Sequence, residues 1–181
     1  MGPAHDYLPD FYYHDIYVLT PEFLEEQGIR ALICDIDNTL EPYEEPCPTE
    51  RLMRWINDMT AHGIRFAFVS NNRAPRVERF NQDLGFFAIA RSGKPSPEPV
   101  RAAMQALEVQ PSECAMLGDQ IFTDVLAGKR AGLRAILVKP IRDKKTLFFR
   151  FKRVMEKPIL ALYHGRQFIR KIRKRKERSC R

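Results

Sequence analysis

Five short apolar runs alternate along the chain with longer segments of helical periodicity. The runs are rich in β-branched and aromatic residues and cover 30–34, 64–69, 86–90, 114–117 and 135–138. The helical segments cover approximately 48–62, 73–84, 97–109 and 121–131. Strand and helix in alternation predict a parallel sheet with helices on both faces. We therefore expect an α/β fold with a mostly parallel sheet of about five strands.

The length and the pattern together predict one domain with an appendage. With 181 residues the chain is only modestly longer than a typical domain of about 150 residues. The alternating pattern occupies 30–141, which we interpret as the core. The aromatic and acidic segment 1–29 is expected to pack against the sheet edge, and 142–181 forms a basic C-terminal extension.

Polar residues follow four of the five predicted strands, at the point where each strand ends. They are Asp35 and Asp37, Ser70 and Asn71, Lys94, and Asp119 with Asp124. The carboxyl ends of parallel strands meet at one sheet edge, where ligands of such folds bind. Carboxylates gathered there repel one another unless a cation lies among them, and an all-oxygen site suits Mg²⁺. The pattern predicts a magnesium site at this edge.

This set of residues also predicts a reaction class. Asp35 and Asp37 are two positions apart, so in an extended strand both would face one cavity. A carboxylate beside Mg²⁺ is able to attack phosphorus and form an aspartyl-phosphate. Lys94 and the Ser70 hydroxyl would supply the positioning and charge neutralisation that phosphoryl transfer needs.

Each of these residues has a plainer interpretation when it is taken alone. Asp35 and Asp37 suit a turn that ends a strand. Ser70 with Asn71 suits a helix cap, and Asp124 suits the first turn of a helix. The occurrence of four such elements in order favours the chemical interpretation.

The segments DIDNTL, FVS, GK and GDQIFTD resemble the four ordered motifs of the haloacid dehalogenase superfamily. The resemblance implies a Rossmann-like three-layer α/β/α core. It implies that Asp35 is the nucleophile and touches Mg²⁺. It also implies that Asp37 is the general acid and base and binds the metal through its backbone carbonyl.

The same resemblance assigns the remaining motif residues. Ser70 and Lys94 would hold the transferred phosphoryl group, with Asn71 beside them. Asp119 would complete the metal site, and Asp124 would support it directly or through water.

Two longer segments, IYVLTPEFLEEQGIRALICDIDNTL and GDQIFTDVLAGKRAGLRAILVKPI, resemble the YqeG-type phosphatases of subfamily IIIA. Related members act on phosphatidylglycerophosphate, so the resemblance implies a phospholipid headgroup as the substrate. Members of this superfamily often carry cap domains after the first or second motif. Here 34 residues separate Asp35 from Ser70 and 23 separate Ser70 from Lys94, which leaves no room for a cap.

Charge divides the chain in two. Residues 1–141 carry 14 basic and 20 acidic side chains, whereas 142–181 carry 16 basic and three acidic ones. Apolar residues recur at spacings of three and four within 144–163, which predicts an amphipathic helix broken or kinked at Pro158. Residues 165–178 add eight basic side chains and one acidic one. An extension of this kind is typical of contact with a polyanion.

The partner of this extension stays open at this stage. A basic amphipathic helix at 144–178 is typical of binding to an anionic membrane surface. RNA or the ribosome is the alternative, because phosphate backbones attract the same charges. A third interpretation is a segment that packs back on the core or only solubilises the chain. The four cysteines form no C-x-x-C pair, and no secretory signal or apolar run of 18 residues occurs. We therefore expect a cytoplasmic protein, peripheral at the inner face of a membrane.

Three functions consequently follow from the sequence. The first is a Mg²⁺-dependent phosphomonoester hydrolase acting on a phospholipid headgroup. The second is an RNA- or ribosome-associated factor with a secondary phosphatase activity. The third is a soluble phosphatase for sugar phosphates or nucleotides, since an uncapped site also admits small substrates.

Overall fold

A computed structural model describes residues 6–142 and 154–168 of the chain. The chain divides into two compact units, Met1–Arg142 and Asp143–Arg181. The first unit contains a six-stranded sheet in which every neighbouring pair is parallel, in the order β1-β6-β5-β2-β3-β4. Its strands are β1 Phe11–Tyr13, β2 Ala31–Cys34, β3 Arg65–Val69, β4 Phe87–Ile89, β5 Cys114–Gly118 and β6 Arg134–Val138. The predicted α/β fold is confirmed.

The sheet has one strand more than the sequence predicts. The additional strand is β1, which pairs with β6 at the sheet edge, Phe11 opposite Ile136. Asp10 precedes it and accepts hydrogen bonds from Ala135 N at 2.7 Å and Lys129 Nζ at 2.6 Å. Three residues are too few to show a period of two, so no pattern in the sequence reveals β1. Backbone pairing with β6 and the Asp10 contacts stabilise it instead.

Helices connect the strands: α1 Pro21–Glu26, α2 Glu50–Ala61, α3 Ala74–Asn81, α4 Glu98–Ala106 and α5 Leu126–Arg130. Thr20 and Thr49 cap α1 and α2, each accepting a hydrogen bond from a backbone N–H of the first turn. The segment predicted as one helix over 121–131 begins instead as a π-helical turn, Ile121–Val125, before α5. Short α1 has too few residues for a helical period and is not predicted.

The two faces of the sheet bury different side chains. Along β2, Leu32 and Cys34 join a core cluster under α2, whereas Ala31 and Ile33 join a second cluster under α4. The first cluster contains the buried aromatic residues Trp55, Phe66, Phe68 and Phe80 among aliphatic ones. With both faces covered by apolar groups, polar side chains are left at the ends of the strands. The polar residues that follow the strands in the sequence therefore lie at the carboxyl edge of the sheet.

The described part of the second unit is one helix, α6, over 154–168. It passes through Pro158, where the sequence predicts a break or kink. Proline has no backbone N–H to donate to the carbonyl of residue 154, so one backbone hydrogen bond is missing at this place in α6. Large apolar side chains on α6 are exposed: Val154 by 58%, Met155 by 47%, Leu162 by 61% and Phe168 by 67%. The rest of the predicted tail, 143–153 and 169–181, lies outside the described residues. Within the described ranges, no helix is long and apolar enough to span a bilayer.

Candidate active site

Three buried carboxylates converge where β2 and β5 end. Asp35 and Asp119 directly follow these adjacent strands, and Asp124 reaches the same place from the π-helical turn. One oxygen from each residue lies within 4.8 Å of the others. Asp35 is 6% exposed, Asp119 2% and Asp124 1%. The structure thus brings together three residues that the sequence places up to 89 positions apart.

Gly118 makes the approach of Asp124 possible. A Cβ atom added at Gly118 would lie 2.3 Å from the Asp124 Cβ, a distance that no side chain tolerates. The Asp124 Oδ2 accepts a hydrogen bond from Gln120 N at 3.1 Å, which closes the turn below it. Asp124 is therefore more than a residue favourable to a helix start, because its carboxylate faces the other two.

Lys94 is the buried counter-charge of the cluster. Its Nζ lies 2.8 Å from Asp35 Oδ1 and 2.7 Å from Asp124 Oδ1, and it donates a hydrogen bond to Val69 O at 2.6 Å. The loop that carries Lys94 is held by Asn71. The Asn71 Oδ1 accepts from Lys94 N and from Ser92 Oγ, each at 2.8 Å, and its Nδ2 donates to Lys94 O at 3.1 Å. The Asn71 side chain thus fixes the lysine loop.

Burial dominates the electrostatics of these groups. Burial raises the pKa of Asp35 from 3.8 to about 6; Lys94 opposes that rise, and the neighbouring Asp124 and Asp37 add to it. For Lys94, burial lowers the pKa, but the charges of Asp124 and Asp35 outweigh burial and leave the pKa raised. We conclude that Lys94 is protonated and forms an ion pair inside the site.

The cluster fits a divalent cation. When ionised, the three carboxylates carry three negative charges against one ammonium group. The Asp124 Oδ1 is buried, and Lys94 Nζ lies 2.7 Å away. A carboxylate oxygen has a second lone pair for a metal ion, and carboxylate oxygens are donors that hard cations prefer. Asp35, Asp119 and Asp124 would hold the ion.

Ser70 occupies the end of β3, beside the cluster in sheet order. It is 1% exposed, and its Oγ accepts a hydrogen bond from Asn72 N at 3.2 Å. Its side chain does not cap α3, whose first turn is preceded by Arg73. Because Oγ acts as an acceptor within the loop, the hydroxyl proton is free to point toward a ligand.

Asp37 is not a member of the carboxylate cluster, although its charge acts on Asp35. Strand β2 ends at Cys34 and the chain turns, with Leu40 N bonded to Ile36 O at 3.0 Å, so the expected alternation of an extended strand stops. Asn38 adopts the left-handed conformation at φ 63°, which asparagine tolerates better than most residues. The Asp37 carboxylate is therefore not one of the three that meet within 4.8 Å of one another.

Two residues that the sequence does not predict hold the Asp37 side chain. The Arg76 Nε donates to Asp37 Oδ1 at 3.1 Å, and the Asn72 Nδ2 donates to Asp37 Oδ2 at 2.7 Å. Arg76 is the third residue of α3, the helix that follows the second polar strand end. Long side chains in a first turn point back toward the helix start, which is the signal that would have found Arg76.

Comparison with known proteins identifies the family of the chain and a similar protein. Residues 6–132 match the model of the haloacid dehalogenase-like hydrolase family. The chain belongs to this family. Over 155 residues it is 38% identical to a Bacillus subtilis (strain 168) protein named "Probable phosphatase YqeG", covering 86% of this chain and 90% of that protein. The predicted class of enzyme, a phosphatase of this family, is confirmed.

Solved structures resemble the fold at low sequence identity. CbbY from Rhodobacter sphaeroides, in complex with phosphate, superposes with a TM-score of 0.50 at 17% identity and covers 66% of this chain and 90% of that one. An uncharacterized protein from Listeria monocytogenes serotype 4b gives 0.51 at 18% identity, covering 65% and 85%. These similarities support the fold. Between its motif residues this chain carries only α2 with β3 and α3 with β4, which agrees with the predicted lack of a cap.

Proposed function

We propose that the protein is a Mg²⁺-dependent phosphomonoester hydrolase of subfamily IIIA that acts through an aspartyl-phosphate. The observation that carries this proposal is the buried contact between Asp35, Lys94 and Asp124, with Asp119 beside them. A carboxylate held by an ammonium group at the mouth of a parallel sheet is positioned for nucleophilic attack, and burial strengthens every charge interaction around it.

The residues divide the reaction between them. Asp35 attacks phosphorus, while Lys94 and the Ser70 hydroxyl neutralise and position the non-bridging oxygens. Asp37 gives a proton to the leaving-group oxygen and later accepts one from the attacking water. A bound Mg²⁺ would supply further charge neutralisation of the phosphoryl oxygens. Asn71 keeps Lys94 at its place through the loop contacts.

An Asp35→Asn variant tests the nucleophile. Asparagine keeps the shape of the side chain and cannot form an acyl-phosphate, so we expect hydrolysis of an aryl phosphate to fall by a factor of about 10³ or more. Asp83→Asn, on an exposed position, is the matched control. Circular dichroism of both variants should be unchanged, and substantial turnover by Asp35→Asn would remove Asp35 from this role.

For the substrate we propose a phospholipid headgroup, with phosphatidylglycerophosphate as the specific candidate. The uncapped chain leaves the carboxyl edge open to a phosphate on a large molecule. The exposed apolar side chains of α6 and the basic extension suit an anionic bilayer. Both features suit a cytoplasmic protein that binds peripherally at the inner face of the membrane.

A phosphate-release screen tests the substrate. Phosphatidylglycerophosphate in mixed micelles is compared with sugar phosphates, nucleotides and an aryl phosphate at matched phosphate concentration. We expect the highest kcat/KM for the lipid. Faster turnover of a small soluble phosphate would instead support the third function, a soluble sugar-phosphate or nucleotide phosphatase.

The second candidate function is an RNA- or ribosome-associated factor, which the 16 basic residues of 142–181 favour. Sedimentation with anionic liposomes and, separately, with ribosomes distinguishes the two. Binding to ribosomes alone, without turnover of lipid phosphate, would favour the factor. Binding to liposomes alone would favour the lipid phosphatase.

A further inference from the structure

Asp37 is held on both of its carboxylate oxygens, although it lies in a loop. Arg76 Nε contacts Oδ1 at 3.1 Å and Asn72 Nδ2 contacts Oδ2 at 2.7 Å. The Asp37 and Arg76 side chains are only 12% and 13% exposed. Two donors on two oxygens restrict rotation of the carboxylate plane, which a single contact does not. The side chain is therefore confined to one orientation.

The two donors are themselves fixed. The Arg76 Nη1 donates to Pro46 O at 3.0 Å, and the guanidinium carbon lies 5.3 Å from the centre of the Phe80 ring. The backbone N–H of Asn72 donates to Ser70 Oγ at 3.2 Å. The orientation of Asp37 is thus linked to α3 on one side and to the phosphate-binding serine on the other.

The arrangement is poorly explained by stability alone. The Arg76 Nη2 is buried without a hydrogen-bond partner among the described residues. A buried unpaired N–H group is destabilising, and burying an ion pair costs solvation of both partners. Both unfavourable features occur at the contact between Arg76 and Asp37, and Asp37 follows the nucleophile by two positions. We therefore attribute them to a need to fix the orientation of the Asp37 side chain.

We propose that Arg76, assisted by Asn72, is a positioning residue that orients the Asp37 carboxyl group toward the leaving-group oxygen. This inference rests on the proposed function. In the first step the Asp35 oxygen bonds to phosphorus, the bond from phosphorus to the ester oxygen breaks, and the proton of Asp37 passes to that oxygen. In the second step water bonds to phosphorus, the Asp35 oxygen leaves, and the water proton passes to Asp37.

The dependence on the leaving group tests this role. Arg76→Met removes the contact to Asp37 at similar side-chain length, and Arg79→Met on the exposed face of the same helix is the matched control. An alkyl phosphate needs a proton on its leaving oxygen, whereas p-nitrophenyl phosphate needs one much less. We expect Arg76→Met to lower kcat for an alkyl phosphate by about tenfold or more, with KM changed less than about twofold and a smaller loss for p-nitrophenyl phosphate. Equal losses on both substrates would contradict the inference.

A double-mutant cycle separates positioning from general damage. In an Asp37→Asn background, Arg76→Met is expected to cause little additional loss, because the group that it orients no longer transfers a proton. The same fold-loss in both backgrounds would overturn the inference. Asn72→Ala provides a second variant, with the same selective pattern at smaller size, if Arg76→Met fails to fold. Arg76→Lys should restore less than half of the lost kcat, because its single ammonium lacks the guanidinium fork.

The outcomes also distinguish this inference from the proposed function. A strong loss in Asp37→Asn with none in Arg76→Met and Asn72→Ala would contradict the positioning role and leave the phosphatase mechanism intact. Full activity of Asp37→Asn on the alkyl phosphate would contradict the assigned acid and, with it, this inference.

Discussion

The carboxyl edge of the sheet and helix α6 differ in whether their energetically unfavourable groups have partners. At the sheet edge, charges are buried and compensated, as in the contacts of Lys94 with Asp35 and Asp124. Along α6, apolar side chains such as Leu162 and Phe168 remain exposed and no compensation is visible within the described residues. The first arrangement fixes geometry for chemistry. The second leaves a surface available for contact, so a substitution in the first region should change rates and one in the second should change partners.

The largest contrast is expected between two lysines. Lys94→Met leaves Asp35 and Asp124 buried without their counter-charge, so we expect a loss of about 3–5 kcal/mol in the free energy of unfolding and no measurable hydrolysis. Lys157→Met, on the exposed surface of α6, should change the free energy of unfolding by less than about 0.5 kcal/mol. Urea denaturation measures both. Equal effects would contradict the comparison.

Two glycine-to-alanine substitutions, one in each region, test the same contrast by adding a single methyl group. Gly118→Ala places a Cβ against Asp124, so we expect destabilisation of about 1–3 kcal/mol together with loss of activity. Gly165→Ala meets no atom within 4 Å and lies inside a helix, so we expect stabilisation of about 0.5–1 kcal/mol. Denaturation curves and initial rates of aryl phosphate hydrolysis give both results. A neutral Gly118→Ala would show that Asp124 has room to move.

The raised pKa of Asp35 makes cation binding depend on pH. Between pH 3.8 and about 6 the folded, metal-free protein keeps a proton that the unfolded chain releases, so this group lowers stability as pH rises through that range. A divalent cation needs the ionised carboxylate. We therefore expect Mg²⁺ to raise the unfolding temperature more at pH 7.5 than at pH 5, measured by thermal shift. A pH-independent increase would contradict an ion at Asp35.

The smallest effect on stability is expected on α6. Leu162→Ser removes an exposed apolar side chain, so the unfolding temperature should change little while sedimentation with anionic liposomes decreases. Lys157→Gln, which removes one charge from the same helix, should weaken sedimentation mainly at low salt. Unchanged sedimentation of both variants would contradict a role of these two α6 side chains in binding liposomes and would favour the basic residues beyond α6.

Much of the fold follows from local patterns. The five predicted strands coincide with β2 to β6 within a residue or two, because buried parallel strands form unbroken apolar runs. Strand β1 and the turn at Ile121–Val125 escape prediction for a common reason. Each depends on tertiary partners, β6 for the strand and Gly118 for the turn, rather than on its own sequence.

The candidate site likewise combines features that local patterns predict with features that depend on tertiary contacts. Polar residues at strand ends predict the cluster of Asp35, Asp119 and Asp124, because the topology of a parallel sheet brings strand ends together. The partner of Asp37 is not predicted by strand ends, since Arg76 lies in the first turn of α3, where only the backward tilt of long side chains points to the contact. Strand β2 ends at Cys34, so alternation along an extended strand does not determine the orientation of the Asp37 side chain.

The central claim is that Asp35 becomes phosphorylated during turnover. The most direct measurement is mass spectrometry of peptides from enzyme that has been mixed with an aryl phosphate and Mg²⁺ and quenched rapidly in acid. The account predicts one added phosphoryl group on the peptide containing Asp35, absent from the Asp35→Asn variant. Steady hydrolysis with the label on another residue, or with no label under conditions that trap acyl-phosphates, would contradict it.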